Sequence, residues 1–118
     1  MFLSVVFSAP IVEAYGSFET GGFISATSVY DIEGGHVGGV LPCNIMQLRS
    51  VDSLNVVTNQ SSLQGEIYLK GNSIFVGYFK NQELTKSVKD DEGWFKTGDF
   101  GILSMNGSIT VLDRIKDI

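Results

Sequence analysis

The chain has one cysteine, one histidine, few basic residues and no long unbroken apolar run, and each shortage removes a class of function. Cys43 has no second thiol to pair with inside the chain and no CxxC or histidine-rich neighbourhood, which excludes an internal disulfide and a cysteine-based metal site. We expect it as a buried structural thiol, in keeping with a reducing compartment. His36, the only histidine, lies in "GGHVGG", a loop sequence, so no Ser/His/Asp set can be assembled. Eight Lys and Arg stand against 13 Asp and Glu, a net charge of -5. That balance gives no electrostatic footprint for a phosphate backbone or an anionic membrane, and nucleic acid is not an expected partner. The opening "MFLSVVFSAPIV" is apolar but meets Pro10 well short of the roughly 20 residues a membrane span needs, and it lacks the positive start of a secretory signal. No transmembrane segment is expected. Residues 3–7 read instead as a short buried strand, with a cleaved signal ending near Ala9 as the alternative.

What the chain does have is glycine, hydroxyl residues and short alternating runs. Its 118 residues suit one modest core. Hydrophobic residues make up 43% and charged residues 18%, so the chain is more apolar than a self-contained soluble domain usually is. Seven glycines between Gly16 and Gly39 predict ordered, irregular structure with short strands. After a turn at Pro42, Ile45, Gln47 and Arg49 alternate with Met46, Leu48 and Ser50, which reads as a strand. "GEIYLKG" (65–71) alternates cleanly, with Ile67 and Leu69 on one face and Glu66, Tyr68 and Lys70 on the other. Residues 52–65 read as a polar loop and "SIFVGYF" as a further short β element. Asn81 is placed to cap a helix ending near Asp90, with Leu84 and Val88 on one face. "WFKTGDFGIL" (94–103) and "SITVLDR" (108–114) read as strands joined by a hairpin at Asn106-Gly107. The sum is mostly β with one short helix, without internal repeats or low-complexity tracts.

Two carboxylates are set among glycines. Glu19 follows a glycine turn in "YGSFET", and Asp99 sits in "TGDFG" at a strand interruption, where backbone freedom allows another group to approach. Either is a candidate ligand contact; either alone is also an ordinary turn residue. The "DDE" run at 90–92 reads as a solvated turn and does not have the spacing of a calcium loop.

The order of motifs around these carboxylates carries more weight. "GEIYLKG", "GYF", "GWFKTGD" and "DRIKD" follow one another between residues 65 and 117, preceded by "IVEAYGSFET" and "GGHVGGVLP". This series resembles the AMP-forming acyl-CoA synthetase and adenylate-forming ligase superfamily, with the text of its middle and end most similar to the long-chain fatty acid-CoA ligases. The resemblance runs from about residue 11 to 118. It implies an α/β enzyme fragment that is mostly β: residues 1–35 as the C-terminal part of an α/β nucleotide-binding subdomain, 36–112 as a small distorted β-barrel subdomain of the adenylate-forming N-terminal domain, and 113–118 as the hinge to a further domain. It implies ATP, Mg2+ and coenzyme A as co-substrates, and a fatty acid activated through an acyl-adenylate.

By the same resemblance, Tyr15 beside Gly16 would stack on adenine, Glu19 would hold magnesium, Asp99 would accept hydrogen bonds from the ribose hydroxyls, Arg114 would hold the ribose and phosphate side, and Lys116 would fall at the hinge. Two positions depart from the family pattern. Phe18 replaces a threonine whose hydroxyl contacts the nucleotide phosphate, and Ala14 replaces a glycine; Thr20 is the nearby hydroxyl that could stand in. The family's phosphate loop and its C-terminal catalytic lysine have no counterpart here, which implies a part of a ligase unable to complete adenylation alone. The alternative is a degenerate, non-catalytic nucleotide-binding or interaction protein of the same superfamily. The implied location is the cytoplasm or the cytoplasmic face of an organelle membrane such as endoplasmic reticulum or peroxisome.

Overall fold

The computed structural model describes residues 2–54, 56–58 and 63–117. Two antiparallel sheets carry the fold. The first has three strands in sequence order: β1 (Ala14–Ser17), β2 (Gly22–Ala26) and β3 (Gly39–Val40). The second has four, also in order: β4 (Asn44–Arg49), β5 (Gln64–Gly71), β6 (Phe95–Leu103) and β7 (Ile109–Arg114). Helix α1 (Phe2–Phe7) precedes the first sheet, and α2 (Gln82–Val88) lies between β5 and β6. Among the described residues the second sheet stays open, with β4 and β7 as its edges, so no closed barrel forms.

The core forms where the two sheets face each other. Ile24 from β2 meets Ile67 and Leu69 from β5, Phe95 from β6 and Ile109 from β7, with four of these five fully buried and Phe95 nearly so. Burial of each such side chain stabilises the fold by about 1.5–3 kcal/mol. Met46 and Leu48 from β4 pack against the same cluster, as the alternation of that strand predicts. Backbone bonds also join the sheets: Val37 N–H donates to the Ile109 carbonyl at 2.8 Å, and Ile109 N–H donates to Gly38 at 2.9 Å.

Helix α2 begins as its sequence indicates. The Asn81 side chain accepts from the Leu84 amide at 3.0 Å, satisfying one orphan donor of the first turn. Val88 packs against the core, while Leu84, expected on the same face, is exposed. The polar stretch 52–65 contains a 3-10 turn at Asp52–Leu54 and a bridge between Val51 and Val56; residues 55 and 59–62 of it lie outside the described residues.

Three local expectations are corrected. Residues 3–7 are helical in α1 and buried nowhere, because no strand among the described residues pairs with them and a helix satisfies its backbone groups internally. Cys43 is exposed in the turn before β4. "SIFVGYF" forms no strand; its chain bends across the end of the first sheet, where the Phe75 amide donates to the Glu19 carbonyl at 2.8 Å. The single pairing at Glu19 replaces a ladder.

Candidate functional site

The site is built where the two sheets touch at their polar end. In β6 the pairing with β5 jumps from Phe100 opposite Glu66 to Lys96 opposite Tyr68, so Thr97, Gly98 and Asp99 bulge out across from Ile67. Thr97 fills the gap left in the ladder: its hydroxyl donates to the Ile67 carbonyl at 2.8 Å and accepts from the Asp99 amide at 3.0 Å. Gly98 takes φ +77°, a left-handed conformation that glycine adopts without penalty. The bulge thus re-aims one side chain, that of Asp99, and leaves it 8% exposed.

Asp99 joins the sheets. Its Oδ2 accepts from the Tyr15 hydroxyl of β1, and its Oδ1 pairs with Arg114 Nε of β7 at 3.1 Å. Asp99 and Arg114 are direct cross-strand partners, so the ion pair follows from register. Burial first, and then the Asp99 carboxylate, push the Tyr15 phenol well above its ordinary value. Tyr15 is therefore a fixed donor at neutral pH.

The turn from Ser17 to Gly22 forms the other wall. A Cβ at Gly16 would collide with the Gly22 carbonyl, so glycine is required there for the chain to double back. Thr20 is 2% exposed: its hydroxyl accepts from the Ser17 amide at 2.7 Å and its one proton faces the carbonyls of Gly22, at 2.6 Å, and Ser17, at 2.9 Å. Thr20, expected to offer a hydroxyl to a ligand, is spent inside the turn. Glu19 stands at the open side. Its Oε1 accepts from the Tyr78 hydroxyl at 2.7 Å, and that hydrogen bond is the main reason its carboxyl lies below the ordinary range.

Two spaces flank these groups. An open cleft of ≈ 850 Å³ is walled by Gly16, Phe18, Glu19, Gly22, Phe23 and Arg114, with Phe18 fully exposed in it. A pocket of ≈ 130 Å³ lies between Glu19, Tyr78, Lys96, Thr97, Asp99 and Arg114. Glu19 and Arg114 line both. Lys116 lies in the exposed turn beyond β7 and lines neither. A separate cavity of ≈ 190 Å³ near α1 contains Glu13, Asp31 and Glu33 and none of the predicted site residues.

Tyr15, Gly16, Glu19, Asp99 and Arg114 are therefore brought together, although 84 residues separate Tyr15 from Asp99. Tyr78 and Thr97 were not singled out by sequence reasoning. The glycine before Tyr78 and the Thr-Gly-Asp order around Thr97 were the available signals.

The sequence profile of the family described as "AMP-binding enzyme" matches residues 1–79. "Long-chain-fatty-acid--CoA ligase 5" of Mus musculus is 42% identical over 108 residues, covering 92% of this chain and 16% of its own length. "Fatty acyl-CoA synthetase A" of Dictyostelium discoideum is 38% identical over 118 residues, covering 99% of this chain and 18% of its own. The chain thus spans less than a fifth of the length of these curated relatives. Among solved structures, O-succinylbenzoate coenzyme A synthetase (MenE) of Bacillus subtilis in complex with AMP superposes with a TM-score of 0.81 at 27% identity, over 98% of this chain and 29% of that one. Apo MatB from Rhodopseudomonas palustris gives 0.75 at 31% identity, over 90% of this chain and 21% of that one.

Proposed function

The chain belongs to the AMP-binding enzymes, and from that premise we propose that it is the nucleotide-cradling part of a long-chain fatty acid-CoA ligase. The reaction joins a fatty acid carboxylate to the α-phosphorus of ATP with loss of pyrophosphate, and then passes the acyl group from AMP to the thiol of coenzyme A. The observation that carries this reading is the Tyr15–Asp99–Arg114 contact, which ties an aromatic ring to an anionic acceptor and a cation that both line the smaller pocket.

Asp99 offers two carboxylate oxygens with about four acceptor sites between them, and its present partners use two. It can therefore accept from a ribose diol while still holding Tyr15 and Arg114. Tyr15, pinned at its hydroxyl, would present its ring to adenine. Arg114 lines both spaces, and its half-exposed guanidinium would stabilise charge on the phosphate side as the carboxylate attacks. Gly16 and Thr20 act through the turn, one by allowing the close approach and the other by locking it.

Glu19 suits a hard cation. Its carboxyl is held ionised at neutral pH, it lines both spaces, and among the described residues no group of three or more His, Cys, Asp or Glu competes with it. Magnesium is commonly bound by one or two carboxylates together with substrate phosphate oxygens. When bound, it would offset charge developing on the phosphates.

In this reading residues 1–35 close an α/β nucleotide-binding subdomain, 36–112 form the small β subdomain, and Lys116 lies at a hinge. The cytoplasm or the cytoplasmic face of an organelle membrane is the proposed location. A degenerate binder is the second reading, favoured by the exposed ring of Phe18 where a hydroxyl is expected. Calorimetric titration of the chain with AMP tests the first. Binding is expected, and Asp99→Asn should weaken it about tenfold or more, the worth of hydrogen bonds to a charged acceptor. An Asp99→Asn chain that stays folded and binds AMP as well as its parent would sink the assignment. AMP binding together with no pyrophosphate release, even when the whole ligase of which this is a part is assayed, would favour the second reading.

A further inference from the structure

Glu19 is held by a side chain from a segment that the proposed reaction does not use. Tyr78 donates its hydroxyl to Glu19 Oε1 at 2.7 Å across 59 residues of sequence. The ring that delivers this hydroxyl is fixed on several sides. Its backbone amide donates to Thr85 Oγ1 of α2 at 2.9 Å, and Thr85 approaches closely because residue 77 is glycine: a Cβ there would lie 2.7 Å from Thr85 Cγ2. The Tyr78 ring stands edge-on to Phe75 at 4.9 Å, and Phe75 stands edge-on to the core residue Phe95 at 5.5 Å. The Phe75 amide in turn holds the Glu19 carbonyl at 2.8 Å. Backbone and side chain of Glu19 are thus both tied to the same segment, which is itself anchored in the core.

Resting on the reading of Glu19 as a metal ligand, we infer that Tyr78 is a positioning residue that sets the cation preference of the site: by holding Oε1 of Glu19 it favours ligation through the other oxygen alone, and so magnesium over calcium. The chemistry of the two ions supports the distinction. Calcium takes six to eight oxygens in flexible geometry and commonly draws both oxygens of one carboxylate; magnesium demands a near-ideal octahedron and keeps several waters, so one oxygen per carboxylate suits it. Oε1, which already accepts from Tyr78, has one acceptor position left and an orientation set by that hydroxyl, so closing around a cation with both oxygens competes with that bond. Among the described residues there is no cluster of three or more His, Cys, Asp or Glu to impose a preference by ligand count, so the orientation of Glu19 decides it.

The test is calorimetric binding of ATP to the full 118-residue chain in magnesium, in calcium and in EDTA. The readout is the ratio of the magnesium to the calcium affinity, in which any general loss of nucleotide binding cancels. The parent chain should prefer magnesium. Tyr78→Phe should lower the ratio about tenfold, the size typical of removing a hydrogen-bond partner that orients a metal ligand. Glu19→Gln should erase the dependence on either cation. An unchanged ratio in Tyr78→Phe, with the cation dependence erased in Glu19→Gln, overturns the role of Tyr78 and leaves Glu19 as the ligand. Cation dependence that survives Glu19→Gln, or is missing from the parent chain, overturns the assignment of Glu19 and this inference with it. Folding of each variant is followed through the emission of Trp94. Should Tyr78→Phe not fold, Thr85→Val, which withdraws the hydroxyl holding the Tyr78 amide, is read on the same ratio and should lower it as well; an unchanged ratio there also overturns the inference.

Discussion

At the scale of single residues, Glu66 and Glu19 show how one sheet end can treat two carboxylates in opposite ways. Glu66 is buried on β5, its Oε2 lies 3.7 Å from Lys96 Nζ, and its Oε1 has no hydrogen-bond partner among the described residues. Burial pushes its carboxyl above the ordinary range, an effect that the Lys96 charge only partly offsets. A group raised in the folded state favours folding below its ordinary value, and this contribution is lost as pH rises through the raised one. Glu66→Gln, which removes the charge and keeps the shape, is therefore expected to raise the denaturant midpoint at pH 7. The gain should shrink as pH falls from the raised value to the ordinary glutamate range, because the folded-state residue takes up its proton over that interval. Paired unfolding curves between pH 4 and 7 check this; a variant less stable than its parent at pH 7 would mean that the Lys96 pair outweighs burial. Glu19 runs the other way, because the Tyr78 hydroxyl lowers its carboxyl and the resulting stability is lost as pH falls. Alternation in "GEIYLKG" placed Glu66 on the open face beside Tyr68 and Lys70, but its burial was not legible there. What lies over it includes Lys96, thirty residues on, and no local period reports that.

At the scale of elements, local chemistry was readable and long-range pairing was not. The Asn81 cap and the Asn106-Gly107 hairpin appear where their residue types put them, since each depends on bonds within a few positions. The apolar run of α1 is too short for its period to separate helix from buried strand, and the choice went to the element that needs no partner. The bulge in β6 was visible only as a glycine interruption. Its consequence, that Thr97 repairs the ladder while Asp99 turns toward Tyr15, depends on the register with β5. Gly98 makes this geometry testable. A Cβ added there meets no atom within 4 Å, so Gly98→Ala carries only the backbone cost of φ +77°, about 1–2 kcal/mol for a residue with a Cβ. We expect that loss in denaturant unfolding, together with weaker AMP binding because the strain relaxes through Asp99. Stability equal to that of the parent would show that the bulge tolerates a second conformation.

At the scale of the whole molecule, the chain is more extended than its length requires. Its radius of gyration is 15.4 Å, with extents of 47 × 34 × 27 Å, whereas a compact domain of this length has about 13.5 Å. The excess goes with apolar surface left in water: Phe2, Val5 and Phe7 of α1 are each more than half exposed, as are Tyr30 and Ile32 in the loop after β2. The positive mean hydropathy anticipated this, because a chain whose fully inward apolar side chains are so few must leave the others outside. Exposed apolar side chains in this number favour self-association. The 118-residue chain is therefore expected to bind a hydrophobic dye and to sediment as a mixture of sizes. The surface and the fold can be separated, since α1 buries none of its residues. Replacing Phe2→Gln, Val5→Gln and Phe7→Gln together should sharply reduce dye emission and association, while each change moves unfolding stability by no more than about 0.5 kcal/mol, as for surface substitutions away from packed features. A large drop in stability would place α1 in the core after all. Unchanged dye emission would move the sticky surface to other exposed apolar side chains, such as Tyr30, Ile32, Val76 and Phe79.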